Sequence, residues 1–441
     1  MAVSWFGVIF VLVLALVFGQ AVQQRVRDKW LPMVFAFVLW SDATGRLFFA
    51  GGLSYYASFF ITFIGYAFIL SDLRLSEMRR NEVWAIFAAF FGWFMLAAVF
   101  GERTMLGEKY ACIQLRTILC GVAVAAWALR APQNMERLIR WATLSAAFSA
   151  LQFVKYGSWS AAQLADEGGR LVIDSETTGI STNVNRIALI ATAILCFPVA
   201  YLLHRWNWKK EKLVKCVAAV ALLVISLVII KTGSRNGGLA LLAVVGYFLF
   251  GRTNIKKFQK VLILVTTAAA MFFAIHKFIG NTEMRTFQFV TQVESERGIY
   301  GTGRFEFYKM LYDSMTPIQH LIGAGTPTEF LAEIGGWHVS NRHSMYMQVF
   351  NQAGYIGLLL MLVFFIRIYL VSRRGGSVGA MGLFFFAVWM LTGVGEASNM
   401  MIGIGNYGLG VGIALCGGAR YYNRQLQQWQ WQWRGWGNRM I

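Results

Sequence analysis

Apolar runs of about 20 residues, the length that crosses a bilayer core of about 30 Å, recur from one end of this chain to the other. They fall at roughly residues 3–20, 31–48, 52–70, 83–100, 112–129, 141–156, 187–203, 214–230, 236–250, 261–279, 345–371, 376–395 and 400–418. The pattern predicts an all-α fold, a polytopic transmembrane helical bundle of about 13 spans (roughly 12–14). The run at 31–48 is the weakest, because Ser41, Asp42 and Arg46 interrupt it. Two polar segments stand out between the runs, residues 157–185 and 281–343. The second is the largest extramembrane loop, and its Phe305, Tyr308 and Met310-Leu311-Tyr312 predict a short amphipathic helix. Everything else reads as one integral membrane domain, 1–441, closed by a Trp/Arg-rich tail at 419–441. The first apolar run has no basic segment before it and reads as a retained span rather than a cleaved signal.

Composition agrees: 57% of residues are apolar and 14% charged, against roughly 25% charged in soluble domains. The formal net charge of +19 would raise nucleic acid as a partner in a soluble protein. Here the basic residues collect in alternate loops: Arg25, Arg27 and Lys29; Arg74, Arg79 and Arg80; Arg130, Arg137 and Arg140; Arg205 to Lys215; Arg252 to Lys260; Arg373 and Arg374. Those loops are expected on the cytoplasmic side. The tail adds Arg420, Arg424, Arg434 and Arg439 with no acid, and its Trp429, Trp431, Trp433 and Trp436 suit the headgroup layer. Segments 157–185 and 281–343 carry more acids than bases and are assigned to the outer, periplasmic side. The five cysteines form no CxxC pair, which argues against a zinc site or disulfide framework.

Against that acidic outer background a few cations stand out. Arg186 closes Thr182-Asn-Val-Asn-Arg at the mouth of a span; Lys231 and Arg235 share Lys-Thr-Gly-Ser-Arg-Asn-Gly-Gly; Arg304 follows Gly-Thr-Gly; Arg342 and His343 open the span at 345. Arginine binds phosphates through a planar, permanently charged fork. Neighbouring glycines let backbone N–H groups approach an anion, and a histidine can take or orient a hydroxyl proton. Each residue also has a plain structural reading: Arg186 as an interfacial anchor, Arg235 as a turn closer, His343 as an interfacial histidine. His320 reads as packing. Arg116, inside an apolar run, either pairs with Glu102 or Glu108 or faces a cavity, and Glu396 poses the same question.

Four motifs in order resemble the bacterial O-antigen ligase and polysaccharide polymerase superfamily, over roughly residues 177–370. They are Thr177-Thr-Gly-Ile-Ser-Thr-Asn-Val-Asn-Arg, Lys231-Thr-Gly-Ser-Arg-Asn-Gly-Gly, Gly303-Arg304 with Leu321-Ile-Gly-Ala-Gly, and His343-Ser-Met-Tyr-Met-Gln with Gly354-Tyr-Ile-Gly357. Ser344 stands where the family commonly has asparagine. The resemblance implies an inner-membrane glycosyltransferase that inverts at the sugar and uses neither metal nor cofactor. Its donor would be a glycan on undecaprenyl diphosphate; its acceptor, lipid A–core or a second lipid-linked glycan. By the same resemblance Arg186 and Arg304 hold the diphosphate and His343 activates the acceptor hydroxyl, with Arg235, Arg342, Lys231 and Tyr346 in support. A protein O-oligosaccharyltransferase or a lipid-linked glycan flippase is the alternative. A flippase would want ionisable groups near the midplane and related half-repeats; Arg116 and Glu396 are the residues that keep it open.

Overall fold

The computed structural model describes residues 24–45, 62–100, 105–157, 171, 173, 184–203, 212–252, 304–325, 332–334, 337–339, 344–393 and 403–437. These residues are almost wholly helical. The helices with printed bounds are α1 (Gln24–Trp40), α2 (Leu75–Met78), α3 (Trp84–Phe100), α4 (Met105–Leu129), α5 (Pro132–Tyr156), α6 (Val184–Leu203) and α7 (Lys212–Thr232). They continue with α8 (Arg235–Arg252), α9 (Arg304–Asp313), α10 (Pro317–Ile322), α11 (Met345–Ser372), α12 (Gly376–Gly393) and α13 (Gly403–Gly437). Residues 62–70 are also helical. Among the described residues, two short strands pair as an antiparallel hairpin in the large loop, Ala332–Ile334 against Trp337–Val339, with Glu333 opposite His338.

Helix positions follow the apolar runs closely. Among the described residues, four helices are long and apolar enough to cross a membrane: Arg186–Leu203, Lys212–Thr232, Met345–Ser372 and Gly376–Gly393. Shorter apolar stretches lie at Trp84–Ala97, Gln114–Leu129 and Gly237–Tyr247. The expected spans at 3–20 and 261–279 lie outside the described residues. The weak run at 31–48 does break where its polar residues begin: α1 stops at Trp40 and Ser41–Gly45 form a π-helical turn. At the other extreme α13 does not stop at residue 418 but continues to Gly437. Its 35 residues span about 50 Å at 1.5 Å each, well beyond one bilayer core.

The C-terminal helix is the axis of the bundle. Its residues from Asn406 to Ala419 are buried, and it packs on α4, α12, α6 and α11. Glycines allow this closeness, as they do where membrane helices must approach without a hydrophobic drive. A Cβ built on Gly121 of α4 would lie 3.0 Å from the Gly410 Cα, and one on Gly382 of α12 would lie 2.7 Å from the Cys416 amide. Around this axis α6 and α12 are mostly buried, whereas α7 and α11 turn rows such as Leu213, Val220 and Leu223, or Leu359, Leu362 and Ile366, outward. Outward apolar rows are what a lipid-facing helix presents. Aromatic contacts knit α3 to α11, with the Phe90 and Phe364 rings stacked at 5.9 Å.

The loops with the basic residues meet at one end. Asp72 is buried between Arg130 at 3.1 Å and Arg27 at 3.7 Å. Arg130 also donates to both carboxylate oxygens of Glu77, at 2.5 and 2.6 Å. Burial pushes the Asp72 carboxyl above its ordinary range, and the flanking guanidiniums pull it back only in part. Arg420 pairs with Glu82 at 3.2 Å, Arg80 donates to the Tyr421 hydroxyl at 2.6 Å, and Asn423 donates to the Gly375 carbonyl at 3.0 Å. The sequence intervals around residues 27, 72–82, 130, 375 and 420–423 therefore form one basic end, the grouping that the loop charges predicted.

Candidate functional site

Chain alternation puts Lys231 and the start of α8 at the opposite end. Helix α5 starts beside Arg130 and rises to Gly157, which bridges Ile173; the Leu171 amide in turn donates to the Lys231 carbonyl at 2.8 Å. Lys231 thus ends α7 at the far end, and Arg235 begins α8 there. Between them Gly233 has φ 61°, a left-handed conformation that glycine adopts without a Cβ penalty. The Thr232 hydroxyl donates to the Ile229 carbonyl at 2.6 Å and accepts from the Ser234 amide at 3.4 Å. The Thr-Gly-Ser-Arg motif is a tight reversal joining two spans. A Cβ on Gly237 would meet the Ile229 side chain at 2.6 Å, so α8 leaves that reversal hard against α7.

Arg186 is half-buried in the first turn of α6, Arg304 is the first residue of α9, and Ser344 caps the start of α11 directly after His343. The side chains of Arg235 and Arg304, and the whole of Arg342 and His343, lie outside what is described; so does Glu396. The start of α6 lies against the start of α8, where a Cβ on Gly237 would come 3.6 Å from that of Ala188, and the start of α11 meets the end of α12, where a Cβ on Gly393 would come 2.8 Å from Met345. Tyr346, in the first turn of α11, donates from its hydroxyl to the Met390 carbonyl at 3.2 Å and so ties α11 to α12.

One electrostatic feature is shared by α6 and α8. A helix N-terminus carries partial positive charge and prefers an acid or a bound anion. The first turns of α6 and α8 contain no acidic residue, and each carries an arginine, Arg186 and Arg235; α9 opens on Arg304 but has Glu306 two residues later. A cation added to the positive end of a helix favours a bound anion there.

The large loop is pinned to α11 by a kink. Gly354, inside that helix, has φ 64° and ψ −165°. Around the break the carbonyls of Asn351, Gln352 and Ala353 accept from the Ala324 amide at 2.7 Å, the Gly325 amide at 3.1 Å and the Trp93 indole at 3.0 Å. The backbones touch: a Cβ on Gly354 would lie 2.4 Å from the Leu321 carbonyl oxygen, and one on Gly323 would lie 2.2 Å from that of Gln352. Upstream, Thr316 and Gln319 form a reciprocal capping box at the start of α10. The His320 ring stacks on Tyr312 at 4.1 Å, and its Nε2 meets the Tyr312 carbonyl at 2.8 Å. The helix that Arg304 opens is therefore mechanically coupled to the helix that follows His343.

Residues 220–362 match the model of the O-antigen ligase family. Through this segment the chain is similar to the O-antigen ligase family, which supports the resemblance to the O-antigen ligase and polysaccharide polymerase superfamily. Among curated proteins no relative matches the chain. Of the proposed site residues, Lys231, Arg235, Arg304, Arg342, His343 and Tyr346 lie inside the ligase-family segment, and Arg186 precedes it. Sequence reasoning passed over a row of buried polar side chains on α11, Ser344, Gln348, Asn351 and Gln352. Three carboxamides within five residues of an otherwise apolar run were the signal. Arg116 is expected to pair with Glu102 or Glu108 or to face a cavity; both acids lie where no side chain is described, and the contacts seen are with the Tyr66 and Phe63 rings.

Proposed function

We propose that this chain is an inverting glycosyltransferase that moves a glycan from undecaprenyl diphosphate to an acceptor hydroxyl at the periplasmic face of the bacterial inner membrane. The ligase-family match supports the reaction class. The observation that supports the reading further is an arginine at the start of each of α6, α8 and α9, with the α7–α8 reversal remote from the basic loops. Arg186 and Arg304 bind the diphosphate and stabilise the charge that grows on it as the glycosyl bond breaks. The acceptor hydroxyl attacks the anomeric carbon from the opposite side, and His343 receives its proton. The bond to the leaving oxygen breaks with its electron pair, so the carrier departs as the diphosphate. The loop docked on α11 by Gly323 and Gly354 keeps the Arg304 helix in register with His343.

The test is transfer by the purified protein in nanodiscs. His343→Ala is expected to slow it by roughly 10²–10⁴, and Arg304→Ala by roughly 10²–10³. Intact transfer in both variants overturns the assignment. Deletion in a producing cell separates the acceptors. Surface chains of a single repeat follow loss of a polymerase, whereas lipid-linked polymer accumulates after loss of a ligase.

A further inference from the structure

Arg116 of α4 belongs to none of the machinery above and lies outside the ligase-family segment. It is 14 residues before Arg130, about 20 Å along the helix at 1.5 Å per residue, and so well within the membrane thickness, toward the end that carries Lys231. Its guanidinium carbon is 4.1 Å from the Tyr66 ring centroid and 5.4 Å from that of Phe63. The side chain is partly exposed. Its Nε is buried without a hydrogen-bond acceptor, and no ion pair to it occurs among the described residues.

The seat beneath it is rigid. The Tyr66 hydroxyl donates to Asp42, which fixes that carboxylate at the hydroxyl of the ring. Tyr66 also stacks on Tyr407 of α13 at 5.9 Å. Asp42 belongs to the π-helical turn at Ser41–Gly45, whose Ser41 meets the Thr62 hydroxyl at 2.5 Å and whose Thr44 bonds Ser149 at 3.0 Å. Trp40 donates to Gln152 at 2.7 Å. This polar seam packs against α6, the helix that Arg186 opens. A guanidinium held over aromatic rings by its charge can still offer its fork for two hydrogen bonds to an oxyanion. A cation placed inside a membrane span and partly open marks a functional site with a partner of opposite charge.

We propose that Arg116 is a second anion site, taking a phosphate of the acceptor lipid. This rests on the transfer reaction proposed above. That reaction brings together two phosphorylated lipids, and the first set of arginines serves the one whose diphosphate leaves. The other keeps its phosphate throughout, so its binding site needs charge complementarity without leaving-group activation, which a guanidinium seated over aromatic rings provides.

The experiment uses the full chain in nanodiscs. Arg116→Gln is expected to raise the acceptor KM at least about tenfold, the loss of one charge-assisted pair, with donor KM and kcat at saturating acceptor held; Arg116→Lys recovers part of the loss. A purely structural role moves melting temperature and both KM values together, and that outcome overturns the proposal. Binding is read separately in an Arg186→Ala/Arg304→Ala background, with synthetic polyprenyl diphosphate, phosphate-free polyprenol and inorganic pyrophosphate as probes. Thermal stabilisation by the diphosphate lipid alone, lost on Arg116→Gln, supports the site. Equal stabilisation by pyrophosphate assigns a free anion and overturns the lipid assignment; no stabilisation overturns the site itself. Retained binding in a protein that transfers nothing counts against the reaction and leaves the anion site standing.

Discussion

Gly354→Ala addresses the coupling between the large loop and α11. At φ 64° and ψ −165° the backbone occupies a region that is essentially glycine-only, where another residue costs about 1–3 kcal/mol. The added Cβ would also sit 2.4 Å from the Leu321 carbonyl oxygen, 2.5 Å from its carbon and 2.6 Å from the Gly323 amide. All three are backbone atoms, so relief means moving the loop and breaking the Ala324 and Gly325 hydrogen bonds to α11, worth about 1 kcal/mol each. Together these set about 3–5 kcal/mol against the docked arrangement. Transfer by the purified variant is expected to fall by about ten- to a hundredfold, with helix content by circular dichroism unchanged, because the spans on either side of the kink remain intact. Gly92→Ala is the control: a Cβ there meets nothing within 4 Å, and a helix-interior glycine replaced by alanine gains roughly 0.5–1 kcal/mol. Wild-type transfer by Gly354→Ala, or an equal loss in Gly92→Ala, would refute the role given to the kink.

The ion-pair knot makes unequal demands on its members. Arg130→Met leaves Asp72 and Glu77 without their shared cation and is expected to cost about 3–5 kcal/mol, whereas Asp72→Asn leaves the paired Arg130–Glu77 bonds in place and costs less; equal losses in denaturation would count against this partition. Because burial raises the Asp72 pKa, the folded state holds that proton more tightly than the unfolded chain does. Its contribution is thus full below the ordinary value of 3.8 and declines as pH rises through the raised one. Melting curves should lose that slope in Asp72→Asn. Tyr346→Phe removes the hydrogen bond to the Met390 carbonyl and is expected to lower unfolding stability by about 1 kcal/mol; an unchanged midpoint would mean the hydroxyl serves something else. In Gly417→Ala the new Cβ would fall 1.5 Å from Asn81 Oδ1, displacing the side chain that accepts from the Val83 amide. A loss of about 1–3 kcal/mol is expected, and none would show that this turn is not latched to α13.

The spans were legible because a helix that crosses lipid must bury its own backbone polarity in an apolar run of set length. The expected limits 187–203, 214–230 and 345–371 compare with Val184–Leu203, Lys212–Thr232 and Met345–Ser372. The continuation of α13 to Gly437 was not legible from hydropathy, since Gln, Arg and Trp lower the apolar signal while remaining compatible with helix. At the site, the glycine motifs were visible as patterns, but the reason for Gly354 lies in Leu321 and Gly323, whose proximity only the folded chain reveals. Asp72 went unnoticed because one acid near a basic loop looks ordinary until Arg27 and Arg130 arrive from other spans. The contact of Arg116 with Tyr66 is equally non-local.

The glycine seam between Gly121 and Gly410 bears on modularity. The signature segment, 220–362, lies between the two helices that carry this seam, and those helices are welded to each other at backbone distance. The signature is therefore a wall of one body and not a cassette. Grafting it into a relative should succeed only when the flanking helices travel with it, because Met345 and Val349 of the segment pack in one core with Ile118 and Val122 of α4 and Leu409 and Ile413 of α13.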